Sequence, residues 1–162
     1  MKKRFDVRSL VKLIIAVLIC QSAGLIGSIF TSGSVSTWYV TLQKPAFNPP
    51  DWVFAPVWTV LYLLMGISLF LVWNAGIKTK GVKTALTFFG IQLVLNALWS
   101  LFFFGLHFLF FSFIEIIMLW TAILLTIIYF LRISRIAGYL LFPYILWVSF
   151  AAVLNFSIWM IN

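Results

Sequence analysis

Long apolar runs, separated by polar breaks, give this chain its pattern. A helix that crosses the hydrocarbon core of a bilayer needs about 20 mostly apolar residues. Five runs reach that length, and only the connection between the first two is long. The predicted helices cover about residues 10–30, 52–74, 84–104, 108–131 and 138–161. The pattern therefore predicts an all-α integral membrane protein, a bundle of five transmembrane helices in one domain over residues 1–162.

The composition supports a membrane environment. Of the 162 residues, 64% are apolar and 9% are charged. A soluble domain is nearer half apolar and a quarter charged. Since this chain has too little polar surface to cover itself in water, we expect the lipid bilayer to be its main partner.

The basic residues collect on one side of the predicted bundle. Because successive helices cross in alternate directions, ten of the eleven lysines and arginines fall on the side of the N-terminus, and only Lys44 falls opposite. Connections rich in these residues stay in the cytoplasm. We therefore expect a plasma (inner) membrane protein with a cytoplasmic N-terminus and an outward-facing C-terminus. The ten residues are Lys2, Lys3, Arg4, Arg8, Lys12, Lys78, Lys80, Lys83, Arg132 and Arg135.

This distribution also explains the net charge of +8 without a nucleic-acid partner. No basic run has interleaved aromatic residues on a polar face, so we expect no nucleic-acid binding. The basic N-terminus followed by an apolar run imitates a signal peptide. The apolar run continues through Phe30, and we interpret it as a retained helix. A short basic N-terminus of this kind indicates a bacterial plasma membrane.

The chain offers few groups for catalysis or metal binding. It has one cysteine (Cys20), one histidine (His107) and three carboxylates (Asp6, Asp51 and Glu115) that are far apart in the sequence. These groups provide neither an intramolecular disulfide nor a Cys/His zinc cluster. Paired carboxylates, a Ser-His-Asp set and a phosphate-binding glycine loop are also missing from the sequence. We therefore expect no metal and no bound cofactor, and ordinary hydrolytic or ATP-driven chemistry is not expected.

The first connection, about residues 31–51, is rich in proline and aromatic residues. Proline removes a backbone donor and pushes the preceding residue toward extended conformations, so neither a long helix nor a long strand is expected. The apolar side chains of this loop either anchor it at the membrane interface or pack it as a lid over the open end of the bundle. Its stiffness favours the lid. The side chains concerned are Trp38, Tyr39, Leu42 and Phe47.

Small residues recur in the first predicted helix. Ala16, Cys20, Gly24 and Ser28 follow one another at intervals of four residues, which places them on one helix face. Small residues at this spacing let helix backbones approach closely. We interpret this face as a packing surface within the bundle rather than as a dimer interface.

A few polar side chains lie within the predicted spans, where polar groups are costly and usually face the interior. We interpret Gln92 and Glu115 as contacts between helices. Asn96 shares a helix face with Trp99, and the second helix carries Trp58 on an aromatic face of its own. An aromatic pocket with one or two amides is typical of a small-molecule site. The pattern leaves two interpretations open, a ligand cavity and a plain core.

Three sequence motifs resemble a known family. They are WYVTLQKPAFNPPDWVFAPVWTVLYLLMG at 38–66, NALWS at 96–100 followed by Phe102 and Phe103, and PYILWVSFAAVLN at 143–155. These motifs are similar to those of the translocator protein family, also called TspO/MBR, tryptophan-rich sensory or peripheral benzodiazepine receptor-like proteins. The resemblance covers nearly the whole chain after the N-terminal tail, and it implies five membrane helices.

The resemblance implies a single bundle, commonly a homodimer, with a cavity closed by the first loop. Family members bind porphyrins, isoquinoline carboxamide or benzodiazepine drugs and, in animals, cholesterol. The porphyrin is a ligand in this interpretation rather than a cofactor, and the Asn96 amide is expected to donate to a carbonyl or carboxylate of the ligand. The ligand-binding residues implied on this chain are Tyr39, Phe47, Pro49, Trp58, Asn96, Trp99, Ser100, Trp147, Ala151 and Leu154.

Two alternatives follow from the same resemblance. Some bacterial members degrade protoporphyrin in light, and Trp58 and Trp147 match the tryptophans implicated there, so they are the catalytic candidates if such chemistry occurs. A sterol or porphyrin transporter is the other alternative, although the chain shows no internal repeat of the kind common in transporters. The C-terminal segment 155–162 lacks the Tyr and the basic residue of the animal sterol motif, so tight cholesterol binding there is not expected.

Overall fold

A computed structural model describes residues 6–162 of the chain. Three of the basic residues that predict the orientation, Lys2, Lys3 and Arg4, lie outside the described residues. Within the described range the secondary structure is helical, with short 3₁₀ turns at Tyr39–Thr41 and Asp51–Val53 and a π turn at Leu101–Gly105. The α-helices of this range are α1 (Val7–Val35), α2 (Phe54–Asn74), α3 (Val82–Ser100), α4 (Leu109–Ile133), α5 (Arg135–Leu140) and α6 (Phe142–Ile161).

Five spans of the described chain are long and apolar enough to cross a membrane. They are Val7–Val35, Asp51–Asn74, Val82–Gly105, Leu109–Ile133 and Arg135–Ile161. The predicted fold class, an all-α membrane protein with five spans, is confirmed. The structure differs from the prediction in detail, because the first helix continues to Val35 and the fifth span is divided into α5 and α6.

Local chemistry accounts for these boundaries. Asp6 caps α1, since its side chain accepts a hydrogen bond from the backbone N–H of Arg8. The division of the fifth span falls just before Pro143, which has no backbone N–H and whose ring clashes with the carbonyl four residues earlier in a continuous helix. α3 starts after Gly81, which has φ +86° and so turns the chain into the helix.

The helices pack around one main buried core. α1 lies against α2 and α3, while α4 lies against α3, α5 and α6. Ala16 and Cys20 of α1 are fully buried, as the small-residue pattern predicts. The closest approach of α1 and α2 is at Gly66, where an added Cβ would lie 2.6 Å from the Cα of Val17. Here glycine allows two backbones to touch.

Gly66→Ala should therefore lower the free energy of unfolding by about 1 to 2 kcal/mol, because the new methyl group meets the backbone of α1 rather than a mobile side chain. Thermal unfolding in detergent measures this effect. Gly33→Ala is the matched control, since a Cβ at Gly33 meets nothing within 4 Å. Equal losses of stability in the two variants would contradict the close packing of α1 on α2.

Residues 36–50, here named the capping segment, fold across one end of the bundle. Trp38 stacks on His107 of the α3–α4 connection, with ring centroids 4.0 Å apart. The Asn162 side chain holds the Gln43 backbone from both sides, accepting from its N–H and donating to its carbonyl, each at 3.0 Å. Tyr39 is 4% exposed. The segment therefore packs onto the bundle, as the lid interpretation predicts.

Candidate functional site

A cavity of about 520 Å³ lies beside the capping segment, between α1, α2, α3 and α6. Ligand pockets in proteins usually have volumes of about 300 to 1,000 Å³. The cavity has two unlike walls, one aromatic and one made of small and hydroxyl side chains. The lining residues are Gln21, Gly24, Leu25, Gly27, Ser28, Thr31, Ser32, Val35, Tyr39, Asp51, Phe54, Ala55, Trp58, Thr59, Tyr62, Asn96, Trp99, Ser100, Phe103, Phe104, Ala151, Leu154, Asn155 and Ile158.

The aromatic wall is built by helical spacing. Trp58 and Tyr62 are four residues apart on α2, and their rings stack with centroids 5.4 Å apart. Trp99 and Phe103 are four residues apart across the end of α3, and their centroids are 5.2 Å apart. Residues i and i+4 of a helix lie on one face, so each pair points the same way. The rings offer flat apolar surface for stacking.

The opposite wall comes from α1, and the sequence interpretation did not identify it. Gly27, Ser28, Thr31 and Ser32 line the cavity from this helix. At Gly27 an added Cβ would lie 2.9 Å from the Ser100 Oγ, so glycine keeps α1 close to α3 here. The signal was present in the sequence, because the four-residue pattern of small side chains in α1 continues past Gly24 into hydroxyl residues.

A hydrogen-bond chain runs from the cavity wall into the core. The Tyr62 hydroxyl donates to Asn96 Oδ1, and Asn96 Nδ2 donates to the Tyr144 hydroxyl at 3.0 Å. The Tyr144 hydroxyl in turn donates to Gln92 Oε1 at 2.9 Å. Gln92 thus links α3 to α6, as predicted for a contact between helices. Asn96 was predicted to serve a ligand, yet one of its N–H groups and its oxygen already bind tyrosines of the protein.

Glu115 differs from its predicted role. Its side chain on α4 is 5% exposed, and neither carboxylate oxygen has a hydrogen-bond partner among the described residues. The structure therefore gives Glu115 no polar contact between helices. Glu115 also lies outside the cavity wall, so it is not a candidate for ligand binding.

The structure brings together seven of the ten predicted binding residues. Those that line the cavity are Tyr39, Trp58, Asn96, Trp99, Ser100, Ala151 and Leu154. Phe47, Pro49 and Trp147 do not line it. Phe47 is 49% exposed on the capping segment. Pro49 accepts a hydrogen bond from Asn48 through its carbonyl, which places it in the framework of that segment.

Trp147 lies behind the cavity wall. Its ring packs edge-on against Phe54, with centroids 5.9 Å apart, and Phe54 itself lines the cavity. Trp147 also contacts Phe150 at 5.5 Å. The predicted pair of cavity tryptophans is therefore separated in the structure, with Trp58 on the wall and Trp147 one layer outside it.

The mouth of the cavity lies between α1 and the start of α2. The exposed lining residues there are Leu25, Ser28, Ser32, Asp51, Ala55 and Thr59. Of all the lining residues only Asp51 carries a charge at neutral pH. Lys44 lies nearby, with its Nζ 4.4 Å from the centroid of the Tyr39 ring.

The Tyr39 hydroxyl is a neutral group at physiological pH. Burial, and to a lesser extent the negative charge of Asp51, raise the pKa of Tyr39 to about 12, although the hydrogen bond with Asn48 acts to lower it. The hydroxyl donates to Asn48 Oδ1 at 2.8 Å. It thereby ties the first turn of the capping segment to its proline-rich end.

Comparisons with known proteins agree with this architecture. Residues 16–160 match the model of the TspO/MBR family. The chain is 43% identical over 155 residues to the tryptophan-rich protein TspO of Chlorobaculum tepidum, covering 96% of this chain and 98% of the relative. It is 44% identical over 154 residues to the protein of the same name in Archaeoglobus fulgidus, covering 95% and 99%.

The similarity extends to an animal relative. The human translocator protein is 36% identical over 139 residues, which cover 85% of this chain and 82% of that protein. The family match over residues 16–160 includes the capping segment and at least part of each of the five membrane spans. This chain belongs to the TspO/MBR family.

Proposed function

We propose that this protein binds a tetrapyrrole, or a related flat apolar molecule such as an isoquinoline carboxamide or a benzodiazepine, in the cavity beside the capping segment. One observation carries the proposal: a 520 Å³ cavity within a membrane bundle, with stacked aromatic rings on one side and small side chains on the other. In this role the protein senses, carries or regulates tetrapyrroles in the membrane.

The two walls suit a flat ligand for different reasons. Trp58 and Trp99 line the cavity, and stacking of a planar aromatic ligand on such rings stabilises it beyond the burial of apolar area. On α1, Gly24 packs against the Tyr62 ring and Gly27 against the Ser100 hydroxyl, so these glycines bring α1 close to the aromatic wall. Ser28 and Ser32 present small side chains to the cavity on this side.

The basic residues support an orientation for this site. Lys12 and Lys78 are near one end of the bundle, and the capping segment lies at the other. Because basic connections remain in the cytoplasm, the proposal places the N-terminus in the cytoplasm and the capping segment outside a plasma (inner) membrane. The homodimer implied by the resemblance stays a prediction, for which the exposed apolar helix faces provide surface.

Titration with protoporphyrin tests the proposed function. We expect saturable quenching of the protein's tryptophan fluorescence with one tetrapyrrole per chain, because Trp58 and Trp99 both border the cavity. An isoquinoline carboxamide should reverse the quenching by competition. N-acetyltryptophanamide in the same detergent corrects for absorption of the exciting light. Quenching that rises linearly without saturation, or that the competitor leaves unchanged, would mean that the cavity does not bind the porphyrin.

A further inference from the structure

Most hydroxyl and amide N–H groups of the cavity wall already donate hydrogen bonds to other groups of the protein. The hydroxyls of Ser28, Thr31 and Thr59 donate to backbone carbonyls of their own helices at 2.7, 3.0 and 2.9 Å. The side-chain amide of Gln21 donates to the Thr59 carbonyl at 3.2 Å. These groups still offer a ligand their oxygen lone pairs and the second amide N–H of Gln21. On this side the wall therefore presents more acceptors than free donors.

Polar groups of the aromatic wall also donate hydrogen bonds within the protein. The hydroxyls of Tyr39 and Tyr62 donate to asparagine oxygens. The indole N–H of Trp99 donates to Asn155 Oδ1 at 3.1 Å. The wall donors that form no hydrogen bond within the described chain are the hydroxyls of Ser32 and Ser100, the indole N–H of Trp58 and the second amide N–H of Gln21, Asn96 and Asn155.

The negative charge at the mouth of the cavity disfavours an anionic ligand. Asp51 lines the cavity and is exposed at its mouth, and a carboxylate only accepts hydrogen bonds. None of the lining residues carries a positive charge at neutral pH. The nearest basic side chain found at this end, Lys44, lies over the Tyr39 ring and outside the lining. A ligand carboxylate near the mouth therefore meets a negative charge, while the free donors of the wall are neutral and provide no opposite charge.

We infer that Asp51 sets the charge preference of the cavity, which takes a flat ligand that is neutral or cationic more tightly than a dicarboxylate of the same shape. The inference rests on the proposed function and refines it by ligand class. It identifies Asp51 as a residue that determines specificity without stacking on the ligand. Carboxylate arms of a tetrapyrrole remain outside the cavity, where Lys44 is the available cation.

Binding of protoporphyrin and of its dimethyl ester tests this inference directly, since the two differ in charge while keeping the same ring. Wild-type protein should bind the ester more tightly than the diacid. Asp51→Asn should raise the affinity for the diacid about fivefold, the effect of removing one like charge about 4 Å away through water, and leave the affinity for the ester unchanged. Raising the salt concentration should shrink the difference for the wild-type protein.

Asp6→Asn is the matched control, because it makes the same charge change at the start of α1, far along the helix from the cavity. Asparagine also serves as a helix N-cap, so this variant should fold normally. It should leave both affinities unchanged. Asp51→Asn that shifts the diacid and the ester equally, or neither, would overturn the inference while saturable binding still upholds the proposed function. If the wild-type protein binds neither tetrapyrrole saturably, the proposed function fails and this inference fails with it.

Discussion

Asn96→Leu should lower the free energy of unfolding by about 2 to 3 kcal/mol, a large effect for one side chain of nearly unchanged size. Leucine leaves the Tyr62 hydroxyl without its acceptor and removes the N–H that binds the Tyr144 hydroxyl. The Tyr144 hydroxyl still donates to Gln92 Oε1. The loss of stability is therefore smaller than if both tyrosine hydroxyls were left without an acceptor. Hydrogen bonds between membrane helices average about 0.6 kcal/mol, and the burial of an unpaired donor accounts for the rest.

Thermal or denaturant unfolding in detergent measures this loss. Asn74→Leu is a matched control, since Asn74 lies at the end of α2, is only half-buried and has no side-chain hydrogen bond in the described structure. Its stability should stay close to that of the wild-type protein. An Asn96→Leu protein as stable as the Asn74→Leu protein would show that the tyrosine–asparagine chain does not stabilise the bundle.

Trp58→Ala should weaken protoporphyrin binding at least tenfold, as expected when a large aromatic residue is removed from the centre of a binding surface. Trp58 lies on the cavity wall and its ring stacks on Tyr62. The variant therefore loses aromatic area for stacking and no longer packs against the Tyr62 ring. Fluorescence titration of the remaining tryptophans, or the absorption shift of the porphyrin, reports the affinity.

Two other tryptophans provide controls for this prediction. Trp52→Ala should leave the affinity unchanged, because Trp52 is 74% exposed and lies outside the lining. Trp147→Phe should also change it little, because Phe54 separates Trp147 from the cavity. Equal weakening by the Trp58 and Trp147 variants would contradict the placement of Trp147 behind the wall. Loss of binding in Trp52→Ala alone would indicate that the ligand binds on the outer surface.

The membrane spans and half of the cavity could be predicted from residue spacing. An apolar run long enough to cross a bilayer has few alternatives to a helix, since every backbone group must find a partner within the segment. The stacked pairs Trp58–Tyr62 and Trp99–Phe103 likewise follow from four-residue spacing. Local geometry decides both features, so no knowledge of the neighbouring helices is needed.

The other half of the cavity depends on how each helix is rotated against its neighbours, which local spacing does not determine. The small face of α1 packs on Tyr62 of α2 at Gly24 but opens into the cavity at Ser28. The same face therefore serves two purposes along its length. Trp147 is four residues before a lining residue, Ala151, and yet Phe54 of another helix covers it.

The hydrogen-bond partners of Asn96 likewise could not be predicted from local spacing. An amide on an aromatic face predicts a polar contact, but the sequence does not say whether a ligand or the protein provides the partner. The partners are Tyr62 on α2 and Tyr144 on α6, both distant in sequence. An amide that two tyrosines hold in place also fixes the Tyr62 ring, so its contribution to binding is the position of an aromatic wall as well as its remaining N–H.

A structure of the protein with protoporphyrin bound tests the central claim most directly. We predict density for one tetrapyrrole per chain inside the cavity, with its ring plane stacked against Trp58 or Trp99 and its other face toward Ser28 and Ser32 of α1. Its carboxylate arms should point out of the mouth. Density for the porphyrin on the lipid-facing surface or between two copies of the chain, with the cavity empty or filled by lipid, would contradict the proposed site.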